Sequence, residues 1–386
     1  MNYSKKRIGD LFKIVKGNKA LETNIPTAFR YIQIEDLRND DNLKYCEPSE
    51  KDVKCNQDDI LIAWDGAKAG TVSYGLEGVI GSTLAKLTPI QNNIHIPYIG
   101  RYLKSKYQVL HDNCTGATIP HISKNFLNNL KIPLPPISTQ KKIAAILDKA
   151  QALIDNDKKV LEKYDQLAQS VFLEMFGDPY LNPHNWKIHK VEELAADEKH
   201  AIKAGPFGSS LKKEFYTSKG YKIYGQEQVI RDDLTFGDYY ISKDRFNKLK
   251  NNQIKAGDVL ISLVGTYGLI SIVPEDYEPG IINPRLMKIT LDKNYIIPQF
   301  FKSLLFTEGI KAKIKNMTHG GTMNIVNVGI MKNLEIPVPP IELQKEYIMI
   351  LDKIKRQNQN SELSLQKSEE LFNSLLQKAF KGELVE

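Results

Sequence analysis

Three scarcities narrow the reading of this chain before any motif is sought. Cysteine is rare: Cys46, Cys55 and Cys114 are the only three in 386 residues, all in the first third and none in C-x-x-C spacing. Neither a disulfide framework nor a zinc site is written there, and reduced thiols in the cytoplasm are the expectation. Long apolar runs are missing as well. None approaches the roughly 18 residues that span a bilayer, so no membrane association is expected. The opening stretch "MNYSKKRIGDLFKIVKG" has no apolar core of signal-peptide type.

Catalytic motifs are the third scarcity. The seven histidines form no H-E-x-x-H, and "GAKAGT" at 66–71 lacks the Lys of a phosphate-binding loop. Asp178-Pro179-Tyr180 lacks the second proline of the Asn/Asp-Pro-Pro-aromatic loop with which amino-methyltransferases hold a flipped base. The acidic "PEDYEP" at 274–279 has no Lys at nuclease spacing and reads as a solvated turn. A stand-alone enzyme, including a DNA-modifying one, is therefore disfavoured, and no metal is expected to bind the chain itself.

What is present is ordinary in amount and unusual in order. Hydrophobic residues make up 41% and charged residues 26%, and a chain of 386 residues exceeds the size of one growing core, so two domains are expected. The formal net charge of +7 leans toward a polyanionic partner. The organising feature is an internal repeat. "LKIPLPPISTQKKIAAILDK" (130–149) returns 204 residues later as "LEIPVPPIELQKEYIMILDK" (334–353), with twelve identities in twenty positions. The match continues upstream, from "GATIPHISKNFLNNL" (116–130) to "GGTMNIVNVGIMKNL" (320–334). With a shift in register, "DILIAWDGAKAGTV" (59–72) lines up with "DVLISLVGTYGLIS" (258–271).

Each repeat divides into a compact segment and a helix. The compact segments, 1–136 and 179–340, carry short β-branched and aromatic runs such as "FRYIQI" and "DVLISLVG" broken by Gly, Asn and Asp, beside helical patterns such as "IPYIGRYLKSKYQVLHD". Pro135-Pro136 and Pro339-Pro340 cannot lie in a helix interior, so a helix starts after each, with Ser138 as the expected N-cap and Glu342 in the same place. These helical segments are 137–178 and 341–386. Along the first, Ile143, Leu147, Ala150, Ile154, Asp157, Leu161, Tyr164, Ala168, Val171 and Met175 alternate steps of four and three. The second keeps the register at Tyr347, Leu351, Ile354, Asn358, Ser361, Leu365, Ser368, Phe372, Leu375 and Ala379, with a polar middle. Ile146, Leu153, Val160 and Leu167 add a flanking stripe. Two matched seams can bury each other, and Ile143, Leu147, Ile154, Leu161, Tyr164, Val171, Tyr347, Leu351, Ile354, Leu365, Phe372 and Leu375 are the expected interface. The expected fold is α+β: two mixed α/β domains joined by two long antiparallel coiled-coil helices, the first roughly 58 Å long over about 138–176, in a pseudo-two-fold repeat. Such a pair suits two sites on DNA one or more helical turns apart.

In this order and duplicated, "IPLPPISTQKKIAAILDK", "IPVPPIELQKEYIMILDK", "GPFGSSLKKEFY" (205–216), "GDVLIS" and the two Gly-x-Thr segments resemble the DNA-specificity subunit of type I restriction-modification enzymes over essentially the whole chain. The resemblance implies a non-catalytic subunit with two target-recognition domains. Each would read one half of a bipartite asymmetric site in double-stranded DNA. The helices would act as a ruler and dock two methylation subunits that methylate adenine, and restriction/translocation subunits would join the assembly. S-adenosylmethionine, ATP and Mg are expected on those partners, with no cofactor on this chain. One departure is that "IVKGNKALETNIP" stands in the first domain where the second has "AIKAGPFGSSLKKEFY". A coiled-coil scaffold that does not bind DNA is the alternative from another class.

A loop meeting a duplex needs Gly for close approach, Lys or Arg for phosphates, and Arg, Lys, Asn or Gln for base edges. In the second domain these are Lys203, Gly205, Gly208, Ser209, Ser210, Lys212 and Lys213, with Gln226, Arg231, Tyr267, Asn283 and Arg285. Matching places in the first suggest Glu35, Arg38, Lys68, Ser82 and Thr83. At the Gly-x-Thr segments, Thr118, His121 and Lys124 pair with Thr322 and Asn324. Pro135 and Gln140 are expected to fix the angle between compact segment and helix rather than to touch DNA.

Overall fold

The computed structural model describes residues 3–25, 29–47, 49–116, 118–263, 269–317 and 327–385. The chain divides into two compact units, residues 1–159 with 362–386, and residues 160–361.

In the first unit β1 (Lys5–Arg7), α1 (Ile8–Leu11), β2 (Phe12–Lys16), β3 (Leu21–Thr23), β4 (Phe29–Ile32), β5 (Tyr45–Glu47) and β6 (Lys54–Cys55) come first. They are followed by β7 (Ile60–Ala63), β8 (Val72–Tyr74), β9 (Gly78–Ile80), β10 (Leu84–Pro89), α2 (Ile96–Ser105), α3 (Tyr107–Asp112), α4 (Lys124–Asn129), β11 (Lys131–Pro133) and the long α5 (Ile137–Phe176), whose part beyond Lys159 belongs to the second unit. The strands make an antiparallel sheet in the order β2-β10-β7-β8, a second sheet β3-β5-β4-β9-β6 in which β4 and β9 run parallel, and the pair β1-β11.

The second unit continues with β12 (Lys187–Lys190), β13 (Ile202–Ala204), β14 (Tyr216–Thr217), β15 (Tyr221–Tyr224), α6 (Gln226–Arg231), β16 (Tyr240–Ile241), α7 (Lys243–Lys248), β17 (Val259–Ser262) and β18 (Ile270–Ile272). Then come β19 (Gly280–Ile282), β20 (Leu286–Ile289), α8 (Pro298–Phe306), α9 (Glu308–Met317), α10 (Val328–Lys332), β21 (Glu335–Val338) and α11 (Ile341–Lys381), whose final part belongs to the first unit. The strand orders β13-β20-β17-β18, β14-β16-β15-β19 and β12-β21 repeat those of the first unit, except that β19 has no strand beyond it where β6 pairs with β9, and β15 and β19 are again parallel. The fold is mixed α/β, duplicated, with a long helix ending the compact part of each copy.

The repeat extends to single side chains. Asp59 and Asp258 precede the fully buried strands β7 and β17 and are 1% and 0% exposed. Each caps its own turn and meets a Lys of the neighbouring strand and the Thr two residues after it. Asp59 accepts from Asn56 N at 3.0 Å, lies 3.3 Å from Lys86 Nζ and accepts from Thr88 Oγ1. Asp258 accepts from Lys255 N at 3.0 Å and Thr290 Oγ1 at 2.5 Å, with Lys288 Nζ at 3.6 Å. Burial pushes the Asp258 carboxyl up from its ordinary value against the pull of Lys288 and Thr290.

The buried Gln140 and Gln344 form the joint after each Pro-Pro step. Gln140 accepts from His95 N at 2.9 Å and donates to Asn93 O at 3.0 Å and Pro135 O at 2.9 Å. Gln344 does the same with Ile297 N at 2.9 Å, Tyr295 O at 3.0 Å and Pro339 O at 2.8 Å. The cap differs from the expected one. α5 starts at Ile137, with Pro136 O accepting from Thr139 N and Gln140 N, so Ser138 lies inside the first turn. Likewise Pro340 O accepts from Leu343 N and Gln344 N, and Glu342 pairs with Lys345 on the helix surface.

Within each unit the two long helices run antiparallel. In the first, Ile143, Ala144 and Leu147 share a core with Ala379, against which Phe372 and Leu375 also pack. Farther along, Asp157 accepts from Ser368 Oγ at 2.7 Å and Ser364 Oγ at 3.3 Å, so the charged member of one seam meets the polar part of the other. In the second, Phe172 and Phe176 surround Tyr347 with ring centroids 5.5 and 5.4 Å away, and Val171 and Leu351 belong to the same cluster. Ile154 and Ile354 are buried, whereas Leu161, Tyr164 and Leu365 are half-buried.

Candidate nucleic-acid interface

In the second unit four of the sequence-designated residues meet at one place. Gly205 follows β13, and its N donates to Leu286 O at 2.9 Å. A Cβ there would lie 1.8 Å from Asn283 O, so only glycine lets the two loops approach this closely. Asn283 N donates to Tyr224 O, and Asn283 Oδ1 accepts from Arg285 N at 2.9 Å, which folds 283–285 into a tight turn. Arg285 O accepts from Leu263 N at 3.0 Å, and Gln226 Nε2 donates to Ser262 Oγ at 2.9 Å. Gly205, Gln226, Asn283 and Arg285 are thus juxtaposed at the ends of β13, β15, β17 and β19. The Arg285 side chain is exposed, with no hydrogen-bond or ion partner among the described residues.

The loop after Gly205 extends this face. Gly208, Ser209 and Ser210 form a 3-10 turn closed by Ser210 N donating to Phe207 O at 2.8 Å. Arg245 of α7 donates to Ser210 O at 2.7 Å and stacks over the Phe215 ring at 3.6 Å. Lys203 lies on β13 opposite Lys288. Lys212 and Lys213 are exposed, Lys212 beside Glu214 at 3.7 Å. Arg231 is drawn elsewhere: it ends α6, pairs with Glu227 at 3.0 Å and stacks over Phe236 at 4.2 Å. Tyr267, Thr322 and Asn324 lie outside the described residues.

The first unit rebuilds the frame with different side chains. Gly17 N donates to Leu84 O at 2.9 Å, and a Cβ on Gly17 would lie 2.4 Å from Gly81 O, so Gly17 stands where Gly205 does. Gly81 N donates to Ile32 O and Trp64 N to Thr83 O, which puts Ser82 and Thr83 in the place of Pro284 and Arg285. Thr83 is half-buried there and Ser82 exposed. Asp65, which follows β7, pairs with Lys16 at 2.6 Å and with His121 Nδ1 at 2.6 Å. Burial alone would raise the Asp65 carboxyl, but hydrogen bonds from Lys16 and His121 outweigh it and hold the group below the ordinary carboxylate range. His121 is thereby tied to the frame; Thr118 and Lys124 are exposed beside it, Lys124 opening α4 after the Ser123 cap. Lys68 sits at the tip of the turn joining β7 and β8, its carbonyl accepting from Thr71 Oγ1 at 2.8 Å.

One sequence match is a residue out of step. Gln33 N donates to the buried Asp36 as Gly225 N donates to the buried Gln228, so the counterpart of Gln226 is Ile34 rather than Glu35. Glu35 and Arg38 are exposed, and Arg38 lines a cleft of about 340 Å³ with Lys104 and Tyr107. A larger cleft of about 1330 Å³ in the second unit runs beside α5 and α8 and contains none of the designated DNA contacts. Sequence reasoning missed Gly17, Lys16 and Asp65. Only the spacing of Gly17 after β2 could have flagged them.

The profile of the type I restriction modification DNA specificity domain matches residues 1–164 and 183–370. The chain belongs to this family. Among curated relatives of the specificity-domain family, the MjaVIII type I restriction enzyme specificity subunit of Methanocaldococcus jannaschii is 27% identical over 352 residues, covering 88% of this chain and 83% of the relative. The EcoBI specificity subunit of Escherichia coli is 24% identical, covering 85% and 74%. A type I restriction-modification S subunit from M. genitalium has the same fold, with a TM-score of 0.56 at 18% identity, over 98% of this chain and 96% of that one. So does a chain solved in work on complex assembly and conformational transition of the type I R-M system, at 0.63 and 16%, over 99% and 98%. This protein is thus a type I specificity subunit by sequence and shares the fold of those solved chains, and among its described residues no helix is long and apolar enough to cross a membrane.

Proposed function

We propose that each compact unit reads one half of a bipartite asymmetric site in double-stranded DNA on behalf of a type I restriction-modification complex. The observation that carries this reading is the duplicated frame. One glycine-enabled close approach, at Gly17 and at Gly205, presents loop residues that differ between copies. A constant frame with variable side chains is what reading two different half-sites requires. In the second unit the unpaired Arg285 is the base-reading group and Lys203, Lys212 and Lys213 are phosphate contacts. In the first, Ser82, Thr83 and Lys68 occupy the corresponding face.

The two long helices set the separation of the half-sites and dock two methylation subunits. On α5, Leu153, Val160 and Leu167 are exposed at seven-residue spacing, an apolar stripe suited to partner helices. Adenine methylation, DNA cleavage and the S-adenosylmethionine, ATP and Mg they need belong to the methylation and restriction subunits of a cytoplasmic complex, and this chain is non-catalytic. Methylome sequencing of the host with and without the gene tests the reading. Loss of one bipartite adenine motif is the expected result; an unchanged methylome would leave a scaffold without DNA binding as the function.

A further inference from the structure

Phe207 stands out because folding leaves its ring outside. It is 89% exposed, while the Pro206 before it and the Leu211 beyond are buried. The loop that carries it is held at both ends. Gly205 is locked against Asn283, and the Ser210 carbonyl is gripped by Arg245, itself stacked on Phe215. Between these anchors the neighbours are small: a Cβ on Gly208 would meet nothing within 4 Å, and Ser209 is exposed. Among the described residues no aromatic ring or cation stacks on Phe207, so both faces of the ring are open. A large apolar side chain held in water on a fixed loop gains its burial from a partner.

Resting on the DNA-reading role proposed above, we propose that Phe207 is a wedge that inserts between two adjacent base pairs of the second half-site. Insertion unstacks that step and kinks the duplex. The two open faces favour insertion over a one-sided contact with a thymine methyl. The equivalent position of the first unit, two residues after Gly17, is Lys19 and not an aromatic residue, and the Asn18 side chain before it folds back, donating to Lys51 O at 2.7 Å and accepting from Val53 N at 3.3 Å. The wedge is therefore assigned to the second half-site.

The test uses the full chain assembled with its methylation subunits and duplexes of the methylome-defined site. 2-Aminopurine is placed in turn at each position of the second half-site other than the methylated adenine. A fluorescence rise at a single step is expected with the wild type, absent with Phe207→Ala, and partly kept with Phe207→Leu. Phe207→Ala should bind roughly ten- to a hundredfold more weakly, the scale of a lost base–aromatic stack. Its melting temperature should be unchanged, because the ring is not part of the core. Replacing thymine by uracil should leave wild-type binding intact. Equal binding by Phe207→Ala, loss of binding on the uracil exchange, or loss of subunit assembly in place of DNA distortion would each overturn the wedge. Failure of the wild type to prefer its own duplex would instead overturn the DNA-reading role itself.

Discussion

At the scale of single residues, the repeat preserves interactions rather than surfaces. Gln140 is fully buried with three partners, and no side chain of similar shape offers one acceptor and two donors. Gln140→Ala strands the His95 N–H and two carbonyls, and a buried unsatisfied group costs about 1 to 3 kcal/mol. The denaturant midpoint should fall markedly, while exposed Lys141→Ala should stay within about 0.5 kcal/mol of wild type. Asp65 gives a pH signature. Its folded pKa lies below the unfolded one, so its stabilisation is complete above the unfolded value, about 3.9, and is lost as pH falls through the folded value. Asp65→Asn should therefore be less stable than wild type at neutral pH, with the gap closing below about pH 4 in pH-dependent melts. Arg285 tests readout. Arg285→Ala should cost about 1 to 3 kcal/mol of binding and relax one position of the second half-site only; uniform weakening across sequences would make it a phosphate contact. The glutamines were legible because they recur at a fixed offset. Asp65 was not, since its partners Lys16 and His121 are 49 and 56 positions away in the sequence and its counterpart in the second copy is a valine.

Elements were easier to read than their ends or their partners. The Pro-Pro steps placed both long helices, yet the cap moved because the Pro136 and Pro340 carbonyls already serve the first turn. The seam of fours and threes was also legible, but its burial is uneven. Near its ends it is thickened by aromatic side chains from the compact units, which a heptad count does not register. Phe172 lies 5.0 Å from Phe176, 5.7 Å from Phe300 and 5.5 Å from Tyr347. Leu161 has only a half-buried position. Phe172→Ala should cost about 3 to 5 kcal/mol, whereas Leu161→Ala should fall well below that range. Thermal melts of the two variants check the contrast, and equal losses would mean that the helices are held evenly along their length.

For the whole molecule, the repeat explains why the helices come last in each copy: each belongs partly to both compact units, α5 being divided after Lys159 and α11 before Glu362. If the helices set the separation of two half-sites, their length and not their surface is the variable that matters. Adding one heptad to α5 after Lys159 and one to α11 before Glu362 keeps both seams in phase, including the pairing of Asp157 with Ser364 and Ser368. Seven residues add about 10.5 Å of helix, and at about 3.4 Å per base pair the unread spacer should lengthen by about three base pairs. Methylome sequencing of cells carrying the doubly extended chain should show both half-sites unchanged and the gap between them longer. A single insertion, in α5 alone, shifts Asp157 and the residues before it against α11 and should impair assembly instead. An unchanged gap in the double insertion, with methylation intact, would separate the helices from the measurement and leave the compact units alone to set it.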